Sequence, residues 1–250
     1  IIKYYTTFSY GDLGLRRPDI DSSDLKDAFS LRNHNWYNNL SYRENIGKGW
    51  KMNLGAAFST NKDDISQQIQ NAENKPVTTG KDYIDYKNFT LNHRNDFAQL
   101  RSVFEKKLSG ISYIRFGSEY WYNYDRSNFN GYSTILKDNY AAVFAETDIY
   151  LTNALAAKLG ARYEYSSIIA KSNIAPRISL AYKTGKNAQV SAAYGIFYQK
   201  PENTELLFTT QLGYTKATHY ILNYQKTTNE RIFRAEVFYK KYQDLIKTFP

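Results

Sequence analysis

The side chains able to do chemistry in this 250-residue chain are numerous, but their spacing suits binding better than catalysis. Its three histidines, His34, His93 and His219, stand far apart, and none has a second His or a Cys at metal-ligand spacing. The lack of cysteine removes disulfide frameworks and thiolate metal sites together. Asp63-Asp64 lies in the longest polar stretch and reads as a solvated pair rather than a cation site. Gly-Asp-Leu-Gly at 11–14 and Gly-Lys-Gly at 47–49 lack the spacing of a phosphate loop. No catalytic residue, metal or cofactor is therefore assigned.

A dense polar set remains, which includes Arg115, Glu119, Glu146, Lys158, Arg162, Glu164, Arg177, Arg234 and Glu236. Four of these, Arg115, Glu119, Arg162 and Arg177, together with Trp121, are the candidate substrate-binding residues. The indole, with Tyr113 on the same face, offers a surface on which a sugar ring or aromatic ligand could stack. A plainer reading is a self-neutralising wall in which acids on one strand sit beside bases on the next.

The elements that position these residues show period-two alternation. In the stretch 154–166, Leu155, Ala157, Leu159, Ala161, Tyr163 and Tyr165 fall on one face, opposite Lys158, Arg162 and Glu164. Val190, Ala192, Tyr194, Ile196 and Tyr198 likewise oppose Gln189, Ser191 and Gln199. The spacing predicts about eleven strands: 2–10, 33–45, 50–60, 88–107, 111–125, 139–151, 154–166, 173–183, 188–199, 215–226 and 231–245. Tight turns are expected at 46–49, 108–110, 152–153, 184–187 and 227–230. Longer polar links are expected at 11–32, 61–87, 126–138, 167–172 and 200–214, alternating with the short ones.

Strands of a dozen residues exceed the usual soluble length of about 5–6, and they are long enough to cross a bilayer at a tilt. Tyrosines such as Tyr120, Tyr122, Tyr124, Tyr163, Tyr165 and Tyr198 sit toward one end of their strands, as a headgroup-level girdle requires. A mean hydropathy of -0.63 would ordinarily argue for a soluble protein. A transmembrane barrel escapes that objection, because each strand shows lipid only every second side chain. The net charge of +9 is spread along the chain with acids among the bases, so it gives no nucleic-acid footprint. The expected fold is all-β: a transmembrane antiparallel up-and-down β-barrel, with residues 1–250 forming one barrel segment. The odd strand count, with Phe249-Pro250 at the start of an outer link and no export signal at Ile1, leads us to expect a longer parent chain.

Two stretches carry a family resemblance. Asn173-Ile174-Ala175-Pro176-Arg177-Ile178-Ser179-Leu180-Ala181-Tyr182 with Tyr194-Gly195-Ile196-Phe197-Tyr198-Gln199-Lys200-Pro201 resembles one late barrel hairpin of the TonB-dependent receptors. The segment from Ala217 to Gln225, followed by Arg231 to Leu245, resembles the next, in a style typical of Bacteroidota. This resemblance implies a 22-stranded barrel in the bacterial outer membrane, an N-terminal plug domain and remaining strands absent from this chain, and contact with the TonB complex through that plug. It further implies an extracellular nutrient ligand such as an iron chelate, glycan, peptide or cobalamin, membrane lipid around the wall, and a surface lipoprotein as a further partner. The expected function is energy-dependent uptake without reaction chemistry. The alternatives are a self-contained outer-membrane barrel enzyme or adhesin and, more remotely, a soluble β-rich carbohydrate binder.

Overall fold

The computed structural model describes residues 1–108 and 110–247. Eleven strands form a single sheet in chain order, each antiparallel to its neighbours. They are β1 (Ile2–Pro18), β2 (Lys26–Gly47), β3 (Trp50–Gln70), β4 (Phe89–Lys107), β5 (Tyr113–Phe129), β6 (Tyr132–Tyr150), β7 (Leu155–Ser166), β8 (Lys171–Gly185), β9 (Ala188–Gln199), β10 (Thr215–Thr227) and β11 (Ile232–Gln243). Two one-turn helices, α1 (Asp82–Asp85) and α2 (Asn203–Leu206), lie in the links. The all-β up-and-down architecture and the number of strands match the expectation. Among the described residues, no helix is long and apolar enough to cross a membrane.

Register keeps the two faces distinct across the sheet, since partnered residues point the same way. Leu159 is paired with Thr147 and Ile178, whereas Lys158 is paired with Asp148 and Ser179. The polar face takes odd-numbered residues in β1–β5, even-numbered ones in β6 and β7, odd ones in β8–β10 and even ones in β11. The opposite face leaves Leu100, Val143, Leu159, Ile174, Leu222 and Val237 exposed. In water each such side chain would forgo roughly 25 cal/mol for every Å² of apolar surface it leaves unburied, whereas in hydrocarbon there is no such loss.

Strand ends depart from the sequence reading. β1 and β2 are longer than expected, so the 11–32 link shrinks to 19–25, and β3 continues to Gln70, so 61–87 shrinks to 71–88. The expected 126–138 link disappears: β5 and β6 are joined by Asn130-Gly131 alone, at φ +50° and +89°. Two consecutive left-handed residues make the turn that Asn-Gly favours in a two-residue hairpin. Short and long links therefore do not alternate at this hairpin, nor at the expected 167–172 link, which shrinks to 167–170 and is no longer than the 151–154 turn. The physical reason is legible at the ends of the strands that bear the long links, where the face that is apolar further down carries Lys62, Asp64, Arg94, Asp96 and Arg126. There both faces are polar, so the alternation fades although the hydrogen-bonded ladder continues. Asp63 and Asp64 belong to β3 and point to opposite faces, which corrects their placement in a loop. Ser109 in the 108–110 turn, and Phe249-Pro250, lie outside the described residues.

The 200–214 link is long, as expected, and folds back onto the polar face. Its Leu206 and Tyr214 close a small buried cluster with Leu136 of β6 and Ile169 of the 167–170 link. Tyr198, by register on the apolar side of β9, is half-buried against this cluster, 6.2 Å from the Tyr214 ring. Tyr120, Tyr163 and Tyr165 do remain exposed on the apolar face.

Candidate binding wall

The five candidate residues share the polar face of β5, β7 and β8. Arg115 is clamped between two strands, donating to Glu105 of β4 at 2.8 Å and to Glu146 of β6 at 2.6 Å. Glu119 accepts from Gln99 Nε2 at 2.5 Å and from Arg162 at 3.1 Å. Arg162 also donates to Glu164 at 3.0 Å and to the Tyr140 hydroxyl at 2.9 Å. Glu164 is buried and takes further hydrogen bonds from Tyr140 and, at 3.0 Å, from Asn173. These ties form two clusters, one around Arg115 that joins β4, β5 and β6 and one around Arg162 that joins β4 through β8, with acids of one strand beside bases of the next. Glu164, the buried member, requires such pairing, because an unpartnered charge there would lose several kcal/mol of hydration.

Two candidates differ from the rest. Arg177 has no carboxylate partner among the described residues, and its guanidinium lies 4.5 Å from the centre of the Phe197 ring. Trp121 stacks on Tyr140 at 4.5 Å with the planes 17° apart. Lys200 covers the indole at 4.8 Å while binding the buried Asp138 at 2.5 Å. Arg115, Glu119, Arg162 and Arg177 line a common hollow of about 720 Å³, whereas Trp121 lies outside it, nearer the long links.

The sequence reading missed the attachments of the links. Lys200 reaches Asp138, and Asn203 donates to Asp125 at 3.2 Å, pinning the 200–214 link to β5 and β6. Burial pushes the Tyr214 hydroxyl well above the ordinary phenol value. At the other side, Lys87 joins the 71–88 link to the first one through Asp19 at 2.5 Å and Asp21 at 2.6 Å. The hydrogen bond to Asp19 is the main cause of the raised Lys87 value. Spacing gives no hint of either attachment, because the partners lie 62 and 68 residues apart.

His93, unassigned in the sequence reading, sits between carboxylates, with Nε2 3.1 Å from Asp125 and Nδ1 3.6 Å from Asp63. His34 points to the apolar face beside Tyr10, and His219 lies against Phe197. Among the described residues, no three acidic, His or Cys side chains gather as a metal site would require.

An open antiparallel sheet, apolar outside and ion-paired inside, with links folded over the polar face, defines the wall of an outer-membrane β-barrel. The chain belongs to the TonB-dependent receptor-like β-barrel family, whose model matches residues 3–250. No sequence among curated proteins matches it. Solved structures with the same fold include the alcaligin outer-membrane receptor FauA from Bordetella pertussis, 11% identical with a TM-score of 0.57 over 100% of this chain and 52% of that one. Another is the outer-membrane transporter YddB from Escherichia coli, 12% identical with a TM-score of 0.59 over 96% and 44%. A third is the copper transporter OprC, 10% identical with a TM-score of 0.57 over 97% and 53%. This chain thus spans about half the length of those structures. It is part of an integral outer-membrane barrel.

Proposed function

We propose that this chain forms half the wall of a receptor that takes up a scarce solute in steps driven by TonB. The observation that carries this reading is the ion-paired lining of the polar face of β4–β8, in two clusters around Arg115 and Arg162, which gives a wide lumen a hydrated lining and a stiff wall. Binding and passage require such a lining, and no covalent step is needed. In the whole receptor further strands complete the barrel, since the outer edges of β1 and β11 would otherwise leave backbone groups bare in lipid at several kcal/mol each. The half-length coverage of the solved structures supports the same view, as does the family's association with a plug through which TonB acts. The ends bearing the 71–88 and 200–214 links face the outside, and the tight turns face the periplasm. A nutrient ligand enters at the link end, and a surface lipoprotein could assist its capture there.

Solute uptake by cells carrying the full-length receptor tests this proposal. Accumulation should stop when either the receptor gene or TonB is deleted. Uptake unaffected by loss of TonB would overturn it. Orientation is tested separately with an impermeant thiol reagent on whole cells: Lys75→Cys should react and Asn229→Cys should not.

A further inference from the structure

Charge on the polar face is segregated along the strands. Toward the tight turns, β2–β5 carry Arg43, Lys51, Arg101 and Arg115. Toward the long links, four successive rows of paired residues on the same strands contain no Lys or Arg. The register joins Asn33 to Asp63 and His93 in the outermost row, and Asn35 to Asn61, Asn95 and Asp125 in the next. The third row holds Tyr37, Ser59, Phe97 and Asn123, and the fourth holds Asn39, Ala57, Gln99 and Trp121.

The amides of this field orient one another. Asn33 and Asn35 both donate to Asn61 Oδ1, at 3.0 and 3.2 Å, while Asn95 donates to Asn123 Oδ1 at 2.8 Å and to Asp125 at 3.3 Å. Asn95 Oδ1 and Asn123 Nδ2 have no partner among the described residues, and both side chains are only half-buried. Each amide offers donors and an acceptor in one plane, and each carboxylate accepts twice. That set matches neighbouring hydroxyl groups, which also donate and accept. Directly below, Tyr37 and Phe97 supply flat apolar surfaces, beside the Trp121–Tyr140 stack, whose indole is capped by Lys200.

We infer that this field is a binding site for a neutral, hydroxyl-rich ligand, an oligosaccharide, at the link end of the lumen. The inference rests on reading the chain as a receptor wall and adds the substrate class. An anionic chelate would meet Asp63 and Asp125 with no cation in the four rows to compensate, and Lys200, which lies over Trp121, is already paired with Asp138. A soft metal ion would find His93 already held by two carboxylates. Sugar rings satisfy both halves of the site: hydroxyls on the amides, C–H faces on the aromatics.

The test uses the purified full-length receptor, an array of neutral oligosaccharides, and a ferric tris-catechol complex as the anionic probe. At least one oligosaccharide should bind. The Asn61→Ala/Asn95→Ala double variant, shown to be folded by its heat-modifiable gel mobility, should lose roughly tenfold or more in affinity, the loss expected from two or three hydrogen bonds. Lys51→Gln, in the cationic half, should bind as the parent does. The inference fails if no oligosaccharide on the array binds, if the ferric complex binds more tightly than every sugar, or if the double variant is unimpaired. Sugar binding that depends on Asn61 and Asn95, in a receptor whose uptake ignores TonB, would sustain this site and refute the transport proposal.

Discussion

The ring of Phe144 on β6 lies across Gly117, its partner on β5, with Cζ 2.7 Å from where a β-carbon would stand; the Ser102 carbonyl oxygen lies 2.3 Å from the same point. An aromatic ring thus fills the gap that a glycine leaves in the sheet. Gly117→Ala must displace the ring and part of the β4 backbone, at a cost of about 1–3 kcal/mol by the usual measure of overpacking. Gly11→Ala on β1, where nothing stands within 4 Å, is the matched control. Urea unfolding of the two variants in detergent should show a clear loss only for the first.

Leu159 and Lys158 are neighbours on β7 that point to opposite faces. Leu159→Arg in the full-length receptor should impair folding into bilayers or destabilise the barrel by about 2–4 kcal/mol, the range for a cation on the lipid face near the midplane. Lys158→Gln removes two ion pairs of 3.7 Å from a side chain that is 46% exposed, so it should cost less than about 1 kcal/mol. Equal effects would mean that the alternation does not mark a lipid face.

Arg162 neutralises two carboxylates, Glu119 and Glu164. Arg162→Met should therefore destabilise the wall by on the order of 3 kcal/mol, because an acid is left buried without its partner. Adding Glu164→Gln should recover a substantial part of that loss in the same unfolding assay. An additive double variant would show that the two side chains act independently.

Asp85 anchors the 71–88 link by accepting from the Thr79 amide at 2.8 Å, the Thr79 hydroxyl at 2.9 Å and the Gly80 amide at 2.7 Å. These bonds, the Thr79 amide first, hold its carboxyl below the ordinary value. A depressed value means that its contribution is fully present above the ordinary carboxylate value of about 4 and is lost as pH falls through the lower, folded one. Corrected hydrogen-exchange protection at Thr79 and Gly80 should be the same at pH 7 and pH 5 and should fall at more acidic pH. Asp85→Asn should abolish the pH dependence.

What the sequence revealed depended on what each stretch of chain touches. Strands β7 and β9 were legible because lipid on one side and a polar lumen on the other impose period two on residues such as Leu155–Ser166. The outer thirds of β3 and β5 were not, since Asp63 and Asp64 are both polar and no apolar phase separates their faces. The Asn130-Gly131 pair was a readable hairpin signal. It went unread because the residues flanking it, from Arg126 to Asp138, resemble a polar loop. Arg115, Glu119, Arg162 and Arg177 could be placed on the correct face by parity alone. Their partners could not, because pairing depends on the register between strands.

The extension of β2–β5 toward the long links also bears on the rate of ligand capture. A site carried on loops must be ordered when its ligand arrives, and each immobilised side chain then subtracts about 0.5–1.5 kcal/mol from affinity. The side chains of the amide field hang from strands already fixed by hydrogen bonds on both flanks. Their entropy was lost when the barrel folded, not when the solute is captured. Encounter should then be governed by diffusion to the mouth of the barrel, with little dependence on loop rearrangement, and affinity differences among related ligands should be seen in how quickly they leave.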